Sequence, residues 1–153
     1  MKSKIAILIG SKSDSEVMSN CTKYLDYFGI ENETHVLSAH RTPEQCIRFA
    51  KDAENNGFRL IIAGAGMAAH LPGVVAAHTI LPVIGVPLSN SALNGVDALY
   101  SILQMPSGVP VATMAIGKAG AINAAVLAAE ILALEDDTLK LRLREFKQQG
   151  CRL

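Results

Sequence analysis

Three segments of this 153-residue chain place side chains that bind anions and move protons within a few positions of one another. The first is Gly10-Ser11-Lys12-Ser13-Asp14, and the second is Ser38-Ala39-His40-Arg41-Thr42-Pro43. The third is Gly64-Ala65-Gly66-Met67-Ala68-Ala69-His70-Leu71-Pro72-Gly73. Together they offer hydroxyls, a guanidinium, a carboxylate, two imidazoles and glycine-rich backbone. That set suits a phosphorylated sugar. Serine and arginine take phosphate through charge-assisted hydrogen bonds, aspartate accepts from ribose hydroxyls, and histidine exchanges protons near neutral pH. Singly, each residue has a plainer use. Ser13 and Thr42 suit helix N-caps, Asp14 complements a helix dipole, Arg41 suits a solvated surface, and either histidine suits an ordinary hydrogen bond. The clustering of these residues, with apolar sequence between the clusters, is what points to a site.

Positioning three such segments requires elements that end just before them. Lys4 to Ile9, Thr34 to Leu37, Arg59 to Ala63, Pro82 to Val86 and Val109 to Thr113 read as strands, rich in Ile and Val and closed by Gly, Ser or Pro. Helical patterns lie between them. Ser13-Asp14-Ser15-Glu16 fits a capping box ahead of Val17, Cys21, Tyr24, Leu25 and Phe28 on one face, with Gly29 as the stop. Thr42-Pro43 opens a second helix that carries Cys46, Ala50 and Ala53 inward and stops at Asn55-Asn56-Gly57. A third runs through about Ala69 to His78 and a fourth through Val96 to Gln104. The last starts near Ala119 with Ile122, Val126, Ala129 and Leu132 on one face, and Glu135-Asp136-Asp137 interrupts it before Leu139 to Phe146. Five strands alternating with helices predict one α/β domain over residues 1–153, a three-layer α/β/α sandwich around a five-stranded parallel sheet. In that architecture ligands bind outside the carboxyl ends of the strands, where all three polar segments fall.

Composition narrows the function classes. Formal charge is zero, 14 Lys and Arg against 14 Asp and Glu, so no basic stripe marks a nucleic-acid partner. Met1-Lys2-Ser3-Lys4 leads into only five apolar residues, Ile5 to Ile9, too few for a signal core or a membrane span. Cys21, Cys46 and Cys151 are odd in number and scattered, which predicts neither disulfides nor zinc, and a reducing, cytoplasmic setting. Half the residues are hydrophobic and mean hydropathy is +0.28, apolar enough to predict contact with further copies of the chain. Gly64-Ala65-Gly66-Met67-Ala68-Ala69 fits the dinucleotide pattern, but no acidic residue follows about 20 positions on, where a ribose ligand belongs. No phosphate-loop G-x-x-x-x-G-K-[ST] is present. His35, His40, His70 and His78 lack metal spacing, so no metal is expected, and His35 and His78 read as structural.

With these segments and four others the chain resembles the N5-carboxyaminoimidazole ribonucleotide mutase family, the catalytic subunits of phosphoribosylaminoimidazole carboxylase. The further segments are Gly85-Val86-Pro87, Gly95-Val96-Asp97, Ser101-Ile102-Leu103-Gln104-Met105-Pro106 and Ala115-Ile116-Gly117-Lys118-Ala119-Gly120-Ala121-Ile122-Asn123-Ala124. Gly117-Lys118-Ala119-Gly120 looks like the bacterial mutase branch rather than the branch that carboxylates directly with CO2. The resemblance implies a flavodoxin-like fold and a homo-octamer, with residues about 119–150 packing on neighbouring subunits. It implies that Ser11, Ser13, Ser38 and Arg41 hold phosphate, that Asp14 holds ribose, and that His40 is the acid/base. His70 and the backbone of Gly64, Ala65 and Gly66 would close the pocket. The implied reaction moves a carboxyl group on an aminoimidazole ribonucleotide through a CO2 intermediate, with no cofactor. Direct carboxylation by CO2 and a non-catalytic nucleotide-binding module are the rival readings. Met67 stands where the family pattern carries glycine. A positive φ there would disfavour methionine, and the expectation is a tolerated substitution whose thioether faces a neighbouring subunit.

Overall fold

The computed structural model describes residues 4–153, and the leading Met1-Lys2-Ser3 lies outside them. Five strands, β1 (Lys4–Ile9), β2 (Glu31–Val36), β3 (Phe58–Gly66), β4 (Val83–Leu88) and β5 (Ala112–Thr113), form one all-parallel sheet in the order β2-β1-β3-β4-β5. Six helices connect and flank them: α1 (Ser15–Phe28), α2 (Pro43–Asp52), α3 (Leu71–Ala76), α4 (Val96–Leu103), α5 (Lys118–Leu132) and α6 (Asp137–Gln148). The chain leaves β1 toward one sheet edge and later continues from β3 toward the other. Between β1 and β3 the strand order therefore reverses, which opens a crevice at their carboxyl ends.

Strand alternation sorts the core into two layers. Ile5, Ile7, Ile9, Leu60, Ile62, Ile84, Val86 and Leu88 face α1, α5 and α6, while Ala6, Leu8, Ile61, Ala63 and Ala65 face α2, α3 and α4. α5 turns its small residues, Gly120, Ala121, Ala124, Ala125 and Ala128, into the first layer. Ile122 and Val126, expected inward, are only partly buried beside it. A Cβ at Gly120 would overlap the Ala115 carbonyl oxygen and lie 3.2 Å from Val86 Cγ1 on β4, so α5 lies close to the sheet because it presents alanine and glycine.

Several element ends differ from expectation for local reasons. β2 starts earlier, because an edge strand can expose Glu31 and Glu33, and Lys4 pairs with Glu33 at 2.6 Å across it. β4 continues through Pro87, whose carbonyl accepts from the Gly117 N–H on the side where β5 has already ended, so its missing donor breaks no ladder bond. β5 shrinks to two residues just after Pro110. α3 is limited to Leu71–Ala76, while Asp136 caps α6 by accepting from the Leu139 N–H at 3.0 Å, which makes the acidic interruption a helix start. No helix among the described residues is long and apolar enough to cross a membrane.

Candidate active site at the switch point

The turn after β1 is built by hydrogen bonds that the sequence pattern placed two residues too late. Ser11, not Ser13, is the cap of the 3-10 turn Lys12–Asp14 that precedes α1. Its hydroxyl accepts from the Ser13 N–H at 3.4 Å and from the Ser13 hydroxyl at 3.0 Å. The reciprocal carboxylate is Asp14, whose Oδ2 accepts from the Ser11 N–H at 3.1 Å. Ser11-x-x-Asp14 wins over Ser13-x-x-Glu16 because Asp14 is turned inward to 4% exposure while Glu16 stays in solvent. Asp14 is the one buried charged side chain among the described residues. Burial pushes its carboxyl above the usual aspartate range, and the Ser11 N–H and the Asn90 carboxamide pull it back.

After β2, Ser38 and Thr42 lock the second loop. The Ser38 N–H donates to Thr42 Oγ1 at 3.0 Å, Thr42 Oγ1 donates back to the Ser38 carbonyl at 3.2 Å, and the Arg41 N–H donates to Ser38 Oγ at 3.1 Å. Thr42 holds the N-cap position of α2, as expected, but spends its hydroxyl on this turn and makes no side-chain cap bond. The locked turn presents His40 and Arg41 to solvent at the crevice. His40 Nε2 meets His70 Nδ1 at 2.6 Å, with the rings edge to face at 83°. Thirty residues separate the two in sequence, and the adjacent ends of the first three strands in chain order bring them together. A contact of this length holds one proton between two imidazoles, with donor and acceptor set by the tautomer.

The glycine segment divides into two roles. Gly64 and Ala65 lie inside β3, not in a loop, and Gly64 pairs in register with Ile9 on one side and Val86 on the other. A Cβ at Gly64 would sit 2.7 Å from the Met18 sulfur, so this glycine serves helix packing. β1 ends opposite Gly64, leaving Ala65 and Gly66 with no strand partner on the β1 side, at the crevice. Met67 follows at φ 56° and is 63% exposed. The positive φ explains why glycine suits this position, and the exposed thioether shows how methionine is accommodated. Replacing Met67 with glycine should leave kcat and KM unchanged, because the side chain is largely in solvent and, among the described residues, makes no hydrogen bond or packing contact that the loop depends on. Stability should change by less than about 1 kcal/mol, since relief of the left-handed strain is offset by greater freedom of the unfolded chain. Denaturant unfolding and steady-state rates check this, and a tenfold loss of rate would place the thioether in the pocket.

Sequence reasoning passed over Asn90. It lies in Ser89-Asn90-Ser91, just after β4, and donates from Nδ2 to Asp14 Oδ1 at 2.9 Å. The strand-end rule would have found it had β4 not been ended before Pro87. His35 and His78 are elsewhere: the His35 ring packs against Phe49 with centroids 4.7 Å apart and planes tilted at 52°, and His78 Nδ1 donates to the Val74 carbonyl at 2.8 Å. Two surface hollows, one beside His35 and Arg48 and one beside Lys51 and Ile80, contain none of the candidate site residues. The crevice itself is open in a single chain, with Ser11, Ser13, His40, Arg41, Met67 and His70 all exposed. Among the described residues no group of three or more His, Cys, Asp or Glu gathers as a metal site.

A sheet of this order, with a polar crevice at its switch point and two imidazoles in contact at the rim, defines a doubly wound α/β protein with a candidate ligand site across three strand ends. The family model described as AIR carboxylase matches residues 4–152, and the chain belongs to that family. The N5-carboxyaminoimidazole ribonucleotide mutase of Haemophilus influenzae is 54% identical over 145 residues, covering 95% of this chain and 88% of that protein. The protein of the same name from Bacillus subtilis is 52% identical over 148 residues, covering 97% and 91%. Among solved structures, Treponema denticola PurE superimposes with a TM-score of 0.87 at 31% identity, over 97% of this chain and 91% of that one.

Proposed function

We propose that this enzyme converts N5-carboxyaminoimidazole ribonucleotide into 4-carboxy-5-aminoimidazole ribonucleotide in purine biosynthesis, with His40 as its acid and base. The observation that carries the reading is the contact of His40 with His70 at the rim of a crevice that also holds Ser11, Ser13, Asp14, Ser38 and Arg41. Identities of 52–54% to proteins named as mutases support rearrangement of the carbamate over addition of free CO2.

In this reading the phosphate lies against Ser11, Ser13, Ser38 and Arg41, and the ribose hydroxyls donate to Asp14. His40 gives a proton to the exocyclic nitrogen as its bond to the carboxyl carbon breaks, which releases CO2 and leaves the neutral amine. The electron-rich C4 of the ring then bonds to the CO2 carbon. C4 now carries both a proton and the new carboxylate, and His40 removes that proton to restore the aromatic ring. One proton leaves and returns, so the imidazole ends as it began. His70, within hydrogen-bond reach of His40, orients the ring and shares its proton. The ends of Ala65 and Gly66, free of a β1 partner, offer backbone groups to the carboxylate.

A copy of the chain closes the crevice in this proposal, and the resemblance implies eight copies. Supporting assembly, Val96, Tyr100 and Leu103 are exposed along one face of α4, with exposed Leu93 just before it. The location is the cytoplasm.

Arg41→Ala should raise KM about 10- to 150-fold, the equivalent of roughly 1.5–3 kcal/mol for a lost charge-assisted contact, with kcat little changed. An unchanged KM would remove Arg41 from the phosphate site. The reading as a whole is tested by supplying purified enzyme with the carbamate, and separately with aminoimidazole ribonucleotide plus bicarbonate. Efficient product from the carbamate is expected, with bicarbonate effective only in large excess. Efficient product from free ribonucleotide and CO2 alone would make the enzyme a direct carboxylase, and product from neither would leave a binding module.

A further inference from the structure

We propose that Asn90 is a positioning residue for the ribonucleotide pocket, holding the Asp14 carboxylate in place from across the switch point so that its free lone pairs face the ribose. This rests on the ribonucleotide reading above. The two Asp14 oxygens are held from different elements: Oδ1 by Asn90 Nδ2 after β4, and Oδ2 by the Ser11 N–H after β1. The carboxylate therefore cannot rotate, and each oxygen keeps acceptor capacity for a substrate hydroxyl. Asn90 is fixed in turn by Gly66. A Cβ built at Gly66 would overlap the Asn90 carboxamide oxygen and lie 3.0 Å from its nitrogen. The glycine at the end of β3 thus provides the slot in which the carboxamide lies. Asn90 links three strand ends, with its Nδ2 on Asp14 and its Oδ1 against Gly66, where it makes no hydrogen bond among the described residues.

The charged and titratable groups on the elements around Asp14 are Lys12 on its own turn, Glu16 in the first turn of α1, His40 and Arg41 on the loop after β2, and His70 on the loop after β3. None forms an ion pair with it among the described residues. Burial raises the carboxyl above the usual aspartate range, and two neutral donors, the Ser11 N–H and the Asn90 carboxamide, offset part of that rise. Losing Asn90 should make Asp14 titrate at higher pH, and Asn90→Asp, which keeps the shape but substitutes a second carboxylate for the donor, should raise it further.

The experiment follows the Asp14 carboxyl carbon by NMR titration in the wild type, Asn90→Ala and Asn90→Asp, alongside pH profiles of kcat and kcat/KM. The expected result is an upward shift in both variants, the acid limb of kcat/KM moving with it, and KM about tenfold higher with kcat within about threefold. Gly66→Ala completes a cycle: it should raise KM in the wild type but add little to Asn90→Ala, where the new methyl enters vacated space. An Asp14 titration unchanged in both variants, or strictly additive effects of the 66 and 90 substitutions, would overturn the proposal. A shifted titration in an enzyme inactive on both substrates would keep the Asn90–Asp14 link and defeat the ribonucleotide reading and with it the pocket role. An unchanged titration with full wild-type turnover would defeat the link alone.

Discussion

Replacing His40 with asparagine is expected to abolish turnover, by at least about 10²- to 10⁴-fold, while ribonucleotide binding persists. Asparagine keeps a polar group on the locked turn between Ser38 and Thr42 but cannot be protonated, and it gives up the 2.6 Å contact with His70. The groups assigned to phosphate and ribose, Ser11, Ser13, Ser38, Arg41 and Asp14, are untouched. Binding of the 4-carboxy product by calorimetry, with single-turnover rates, separates the two effects. A rate near that of the wild type would show that the proton travels through another group. Loss of binding together with rate would assign His40 to holding the substrate.

The largest stability effect is expected far from the crevice, at Phe146. This ring is 2% exposed and meets Tyr24 and Phe28 edge to face, with centroids 5.9 and 5.3 Å away at 87° and 75°. Phe146→Ala should cost about 3–5 kcal/mol from lost burial and the cavity left behind. At roughly 2–4 °C per kcal/mol for a chain of this size, Tm should fall by about 6–20 °C. The effect reaches the site through α1, because α6 clamps the far end of the helix whose N-cap position Asp14 holds. Arg142 of α6 also donates to the Phe28 carbonyl at the C-terminus of α1. Calorimetric scans measure the loss, and a cost below about 1 kcal/mol would mean that α6 is not part of the cooperative core.

What the sequence makes legible here depends on how local the deciding interaction is. β1, β3 and β4 are evident because strands buried on both faces read as unbroken apolar runs, and Gly29, at φ 71°, marks the end of α1. β2 is harder to delimit, since an edge strand is free to carry Glu31, Glu33 and Thr34 outward. Two overlapping patterns, Ser11-x-x-Asp14 and Ser13-x-x-Glu16, compete for one helix start. Only burial of Asp14 beneath Asn90, which lies 76 residues away, decides between them. α5 misleads in a related way. Its Ile122 and Val126 look like the inward face, but the close approach to the sheet needs alanine and glycine, and the larger residues move to its flank.

The candidate site follows the same division. Strand ends plus residue type were enough to nominate Ser11, Asp14, Ser38, His40, Arg41 and His70, because a parallel sheet fixes where such residues converge. The His40–His70 contact and the Asn90–Asp14–Gly66 arrangement are tertiary, each joining separate strand ends, and no local pattern encodes them. Met67 is an intermediate case. Its position in a glycine-rich turn anticipates the positive φ, and the fold accommodates the side chain by leaving it exposed.

The central claim is that the carboxyl group moves within one bound substrate, with CO2 held in the crevice between the two bond changes. The most direct test is a brief incubation of the enzyme with carbamate labelled with ¹³C at the carboxyl carbon, in excess unlabelled bicarbonate, followed by mass analysis of the 4-carboxy product. Retention of the label in nearly all product is the predicted result. Label diluted to the level of the bicarbonate pool would mean that CO2 enters from solution, and would contradict transfer within the site.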